Sequence, residues 1–195
     1  SDYSANIIHE REMDFDITDG PIVCLNLVDN LVQQVLTEQG FQFSDIAAVG
    51  IGLPGPVVIE KGTVSMPPIM PGWNNFPIRE TLTKKWNCPV LVNNDAELGA
   101  LGEWAYGAGR GEKNLAYIKV GTGIGAGLIF ESKIYHGTTG SAGEIGHITI
   151  NENGPKCSCG NMGCLEAFAG GRAIANRAQE ELSKGRRSQL VGLGD

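Results

Sequence analysis

The sequence predicts an α/β fold, in which helices and strands alternate along the chain. Two observations support this fold class. Short apolar runs that end in glycine, proline or polar clusters are typical of buried strands, and the segments between them have apolar residues at helical spacing. The chain has 195 residues, of which 42% are hydrophobic, so it can bury a sizeable core.

Six elements are predicted in the first half of the chain. In the helix predicted at 18–40, Thr18 or Asp19 can cap the beginning, Pro21 suits the first turn, and Gly40 suits a left-handed cap at the end. The elements are a short strand at 4–12, a helix at 18–40, a buried strand at 46–57, a short helix at 76–87, a buried strand at 88–95 and a helix at 96–109.

The predicted boundary between the two halves lies in the glycine-rich, charged segment 107–113. It separates an N-terminal lobe (1–110) from the start of a C-terminal lobe (111–195). The predicted elements of the second half are strands at 114–120, 128–137 and 147–151 and a helical region at 165–185.

Composition excludes several classes of function for this stretch. The net charge of −7 argues against direct binding of nucleic acid or of an anionic membrane. No run approaches the roughly 20 apolar residues of a membrane span, and residues 1–16 do not resemble a signal peptide. We therefore expect a soluble, cytoplasmic protein, and a reducing compartment disfavours disulfides.

Three of the five cysteines, Cys157, Cys159 and Cys164, lie within eight residues, and His147 precedes them. Four such ligands in one loop suit tetrahedral Zn²⁺, and glycines at 160 and 163 allow the loop to fold back. A Cys159–Cys164 disulfide and three incidental thiols are the alternatives. A closed set of four protein ligands predicts a structural metal site rather than a hydrolytic one. Cys24 and Cys88 are predicted to be small buried hydrophobic residues.

The glycine run GTGIGAG (121–127) is followed by strand-like residues, whereas a dinucleotide or P-loop fingerprint requires a helix there. A strand–turn–strand hairpin could still offer backbone N–H groups and the Thr122 hydroxyl to a phosphate, and an ordinary hairpin is the alternative.

Polar side chains follow the strand at 88–95, where ligand sites of α/β sheets occur. Asp95 could accept a proton from a substrate hydroxyl that a neighbouring asparagine orients, although Asp95 or Asn94 could equally cap the next helix. Glu144, His147 and Glu166 flank the cysteine loop and could bind several sugar hydroxyls.

Three segments resemble the ROK family, a bacterial group of repressors, open reading frames and sugar kinases. They are VNNDAELGALGE, VGTGIGAGLI followed by GTTGSAGEIGH, and GPKCSCGNMGCLE. The resemblance implies the actin-like, sugar-kinase (ribonuclease H-like) fold, in which two lobes close on sugar and nucleotide. Family kinases also begin with an Asp-x-Gly-x-Thr-like motif and end with an adenosine-contacting part of the second lobe. This chain lacks both, so we expect it to be incomplete at both ends.

The resemblance also implies roles for individual residues. Asp95 matches the catalytic base that deprotonates the attacking sugar hydroxyl, and Gly121, Thr122 and Gly123 match the loop that faces the phosphates of ATP. The residues that match the family's sugar site are Asn94, Asp95, Glu144, His147 and Glu166, and those that match its zinc ligands are His147, Cys157, Cys159 and Cys164.

Members of the family are either hexose kinases or sugar-responsive repressors with an N-terminal winged helix. The segments DITDGP, PPIMPGWNNFPI and EAFAGGRAIA resemble the repressors, which favours a sugar-binding effector domain of a transcriptional regulator. An ATP- and Mg²⁺-dependent hexose kinase is the alternative. The expected partners are a sugar, further copies of the chain in a homo-oligomer, and DNA only through an N-terminal segment absent from this chain.

Overall fold

The structure is a computed structural model and describes residues 1–190. The chain folds into two compact units, Ser1–Asp95 and Ala96–Asp195. The predicted lobe boundary at 110/111 stays a prediction. Within the described residues, none of the helices combines the length and the apolar character that crossing a membrane requires.

The first unit contains two helices, a parallel strand pair and a short antiparallel pair. The parallel pair places Leu53 opposite Asn94, so both strands end at the same edge. The elements are α1 (Pro21–Glu38), β1 (Val49–Leu53), β2 (Val57–Val58), β3 (Thr63–Val64), α2 (Ile78–Trp86) and β4 (Val90–Asn94), with β1 pairing with β4 and β2 with β3.

The core of this unit lies between α1, α2 and the parallel pair. Trp73, Ile78 and Leu82 are almost fully buried in it, and the predicted burial of Cys24 and Cys88 is confirmed. β1 and β4 are buried on one face only, which corrects the prediction of fully buried strands. Leu91, for example, is 65% exposed, because its side chain points to the face opposite the core.

Two local predictions near the N-terminus were wrong. Residues 4–12 form no strand in the described structure, because no other strand pairs with them and a single strand cannot satisfy its own backbone. Gly20, at φ +88°, takes the N-cap position of α1 in place of Thr18 or Asp19. Asp16 instead caps the preceding 3₁₀ turn by accepting the Thr18 backbone N–H.

The second unit is built on a three-stranded antiparallel sheet, and its first helix begins at the boundary between the units. Gly127, on the second strand, lies so close to that helix that a Cβ there would be 2.9 Å from the carbonyl carbon of Ala96. The elements are α3 (Asp95–Ala105), β5 (Leu115–Val120), β6 (Ile124–Phe130), β7 (Lys133–Ile134), α4 (Leu165–Ala169) and α5 (Gly171–Ser183).

The glycine run divides between two kinds of structure. Gly121–Gly123 form the turn between β5 and β6, which confirms the predicted hairpin, and the run then continues as the beginning of β6. The predicted strand at 147–151 is absent from the described structure. A 3₁₀ turn (Ile145–His147) stands there, and the following backbone pairs with the cysteine loop: Ile150 donates to Gly163 O over 2.8 Å.

Candidate functional site

The structure brings the four predicted metal ligands of the second unit together. One potential ligand atom from each of His147, Cys157, Cys159 and Cys164 lies within 4.8 Å of the other three. His147 Nδ1 is 3.5 Å from Cys157 Sγ, and Cys159 Sγ is 3.7 Å from Cys164 Sγ. All five cysteines of the chain are free, so the cluster contains no disulfide.

The His147–Cys157 and Cys159–Cys164 spacings fit two edges of a tetrahedral zinc site. With Zn–S of about 2.3 Å and Zn–N of about 2.05 Å, neighbouring ligand atoms of a tetrahedron lie about 3.8 Å apart for two sulfurs and about 3.6 Å apart for nitrogen and sulfur. The measured 3.7 Å and 3.5 Å agree with these edges. Cys157 and Cys164 are buried and Cys159 is exposed, so the cluster lies just beneath the surface.

The thiol chemistry of the cluster also suits a cation. Burial acts to raise the pKa of Cys157, but hydrogen bonds, led by those from Cys159, outweigh it and lower the pKa to about 7. Burial raises the pKa of Cys164 to about 12, and the neighbouring thiols add to the effect. The raised pKa of Cys164 reflects the cost of placing a further thiolate beside the other two thiols, and a bound Zn²⁺ would remove that cost.

Two glycines in left-handed conformations shape the cysteine loop. Gly160 has φ +97° and Gly163 has φ +68°. The loop is closed by backbone hydrogen bonds, among them Cys157 N–H to Asn161 O and Gly163 N–H to Pro155 O, both 2.8 Å. These bonds set the direction from which each thiol approaches the cluster.

The two carboxylates that flank the loop lie on different elements of the second unit. Glu144 immediately precedes the 3₁₀ turn, and its Oε2 is 3.8 Å from His147 Nε2, the ring nitrogen opposite the one near Cys157. Glu166 lies in the first turn of α4, and its Oε2 accepts the Ile124 backbone N–H over 2.8 Å. His147 therefore stands between the cysteine cluster and Glu144.

Glu166 also borders the glycine turn. A Cβ on Gly123 would lie 3.1 Å from the Glu166 carboxyl carbon and closer still to Oε2. On its other side the turn meets α5, whose Gly171 and Arg172 N–H groups donate to the carbonyls of Gly121 and Thr122. These carbonyls satisfy amides at the helix N-terminus that have no partner inside the helix.

In the first unit, Asn94 and Asp95 lie at the carboxyl end of β4. Asn94 Nδ2 donates to Gly55 O over 3.0 Å and so holds the Pro-Gly-Pro turn that follows β1. Asp95 is the first residue of α3, at the positive end of the helix dipole.

One half-buried acid–imidazole pair was not predicted from the sequence. His136 Nδ1 lies 2.9 and 2.8 Å from the two carboxylate oxygens of Glu97, which is 3% exposed. The signal was an acidic residue within the apolar run of α3, but the sequence alone did not connect it to a histidine 39 residues away.

Comparison with known proteins places these features in context. The sequence model of the ROK family matches residues 20–193. A xylose repressor of Caldicellulosiruptor bescii is 37% identical over 185 residues, which cover 95% of this chain and 46% of the repressor. A glucokinase of Halalkalibacterium halodurans is 40% identical over 173 residues, which cover 88% of this chain and 52% of the glucokinase. The chain thus spans about half the length of these curated relatives.

Solved structures agree with the sequence matches. A ROK family glucokinase from Streptomyces griseus, crystallised with glucose and AMPPNP, superposes with a TM-score of 0.70 at 35% identity. The match covers 82% of this chain and 50% of the glucokinase chain. A ROK family transcriptional regulator, described as a homologue of the Escherichia coli MLC protein, superposes with a TM-score of 0.71 at 30% identity, covering 89% and 43%. The predicted α/β, actin-like fold class is confirmed.

Proposed function

Because the chain belongs to the ROK family, we propose that it is part of the sugar-binding effector region of a transcriptional regulator. The observation that carries this proposal is the similarity to a xylose repressor, which extends over almost the whole chain. D-Xylose and D-glucose are the first candidate ligands, because they appear in the names of the repressor and kinase relatives.

In this proposal, Asn94, Asp95, Glu144, His147 and Glu166 bind sugar hydroxyls. Carboxylates accept hydrogen bonds from hydroxyl groups, and several such contacts at fixed positions distinguish one sugar epimer from another. His147, Cys157, Cys159 and Cys164 would hold a structural Zn²⁺, whose role is to fix the loop. If Nδ1 binds the metal, the other ring nitrogen of His147 faces Glu144. This supports the proposal that the two side chains bind the same sugar.

A sugar can regulate DNA binding only if it prefers one conformation of the protein, and the coupling is then reciprocal. The test uses the full-length protein and the DNA upstream of its own gene. D-Xylose or D-glucose should change the affinity for this DNA, and the DNA should change the affinity for the sugar by the same factor. DNA binding that neither these nor other hexoses and pentoses alter would contradict the proposal.

Hexose phosphorylation is the second candidate, and it is favoured by Asp95 at the end of β4 and by the similarity to glucokinases. Asp95 would take the proton of the attacking hydroxyl, and Gly121, Thr122 and Gly123 would face the phosphates of Mg·ATP. The full-length protein should then form ADP in a sugar-dependent manner, and Asp95→Asn should stop it. Sugar binding without ADP formation would exclude this candidate and leave the regulator.

A further inference from the structure

The pair Glu97–His136 is a half-buried acid–imidazole contact without a role in the proposed sugar or metal chemistry. The Glu97 side chain is 4% exposed and that of His136 is 37% exposed. An ionised carboxylate is costly to bury unless hydrogen bonds compensate it. Both Glu97 oxygens lie within 2.9 Å of His136 Nδ1, so the Nδ1–H donates to the carboxylate.

His136 stands at the beginning of the segment that leads from β7 to Glu144, here called the 135–144 loop. Backbone bonds hold both ends of this loop on β6: Tyr135 N–H donates to Leu128 O, and Ala126 N–H donates to Gly143 O, each over 2.8 Å. The His136 carbonyl also accepts the N–H of Ala142 over 3.1 Å, which folds the loop back on itself.

The imidazole of His136 gives this loop a side-chain anchor on a second element, α3. The closed loop passes directly into Glu144, so the position of His136 is transmitted through the Ala142 bond to the residues next to Glu144. One end of the anchor, Glu97, lies in the first turn of α3 and is excluded from water, which strengthens a hydrogen bond to its carboxylate.

We propose that Glu97 and His136 are positioning residues of the sugar site: through the 135–144 loop they set where the Glu144 carboxylate is held. The inference rests on the proposed function, since it concerns the same sugar-binding residue. Neither residue contacts the sugar in this account. Glu97 and His136 affect a bound sugar hydroxyl only through the position of the Glu144 carboxylate.

The test is the sugar affinity of full-length variants, measured by calorimetry with D-xylose and D-glucose. His136→Phe keeps an aromatic ring but removes the donor, and it should weaken binding by about tenfold or more, because small displacements of a binding group are costly. His136→Asn places an amide N–H near the position of Nδ1 and should restore affinity to within about threefold of wild type. Thr138→Ala, an exposed change in the same loop, is the matched control and should bind normally.

His136→Phe leaves the Glu97 carboxylate without this donor and can destabilise the fold. The double variant Glu97→Met/His136→Phe removes both polar partners, which is far less destabilising than removing one. It should keep its zinc content and fold, exchange the Ala142 amide hydrogen faster, and still bind sugar about tenfold or more weakly.

The possible outcomes separate the two proposals. Wild-type affinity in the folded double variant, or in His136→Phe, would overturn the positioning role while leaving the proposed function intact. A wild-type protein that binds neither these two sugars nor any other hexose or pentose would overturn the proposed function, and the positioning role with it. Equal loss in His136→Asn and His136→Phe would also refute the inference, because the donor would then be irrelevant.

Discussion

Replacing Gly163 with alanine should destroy the metal cluster. Gly163 has φ +68°, and a Cβ on it would lie 2.6 Å from the carbonyl carbon of Asn151 and closer still to the oxygen. Non-bonded carbons need about 3.5 Å, so the two backbone segments must separate by at least about 0.9 Å, and the closer oxygen requires more. Cys164 is the next residue, and zinc–ligand distances tolerate only about 0.2 Å.

Gly160→Ala is the matched control. Gly160 lies in the same loop with φ +97°, but nothing lies within 4 Å of the Cβ position. Both variants therefore carry the strain of a non-glycine residue at positive φ, about 1–2 kcal/mol. Only Gly163→Ala adds the collision. A metal present at about 1,000 times its Kd stabilises the fold by about 4.1 kcal/mol, and Gly163→Ala should lose that contribution.

The assay combines zinc content after desalting with thermal melting in the presence and absence of EDTA. Wild type and Gly160→Ala should retain one zinc per chain and melt at lower temperature when EDTA is added. Gly163→Ala should retain no zinc, and EDTA should not change its Tm. Stoichiometric zinc and an EDTA-sensitive Tm in Gly163→Ala would refute the geometric argument, and zinc-free wild type would refute the metal site itself.

Three further predictions follow from contacts in the two units. Asp29→Ala should lower the free energy of unfolding by about 3 kcal/mol, because the buried Trp86 Nε1–H, 2.7 Å from Asp29 Oδ1, loses its acceptor. Urea unfolding measures this loss. The control Glu80→Ala, on the exposed surface, should have much less effect. Burial acts to raise the pKa of Asp29, but hydrogen bonds led by Lys85 outweigh it, so the pKa lies below the ordinary 3.8. The stability that Asp29 contributes should be fully present above pH 3.8 and disappear as the pH falls through the lower folded-state pKa; a stability difference between wild type and Asp29→Ala that does not shrink in acid would contradict this. Gly123→Ala should displace the Glu166 carboxylate and weaken sugar binding by about tenfold at unchanged zinc content; equal sugar affinity in calorimetry would exclude the contact.

The sequence predicted those parts of the fold that depend on local patterns. The helix α1 and the β5–β6 hairpin are examples, because apolar spacing and the positions of glycine and proline determine them locally. The cluster of one histidine and three cysteines was predictable for the same reason, since these potential ligands lie close together in the sequence.

The failures have a common physical cause. A strand exists only if another strand pairs with it, and the sequence of residues 4–12 does not contain that information. The segment 147–151 has the alternation of a strand, but its backbone groups bond to the cysteine loop instead. Glu97 and His136 could not be paired in advance, because their contact depends on where the segment after β7 lies relative to α3.

The contact between Glu166 and the glycine turn limits how this sequence can diverge. Glu166 accepts the Ile124 N–H, and the carbonyls of Gly121 and Thr122 satisfy the first amides of α5. A substitution that removed the turn would therefore disturb a carboxylate proposed to bind sugar and the beginning of a helix. A regulator that transfers no phosphate has the same reason to keep Gly123 as a kinase has, because a Cβ there would collide with the Glu166 carboxylate. Glycine at this position therefore cannot serve as evidence of phosphoryl transfer when members of this family are assigned from sequence.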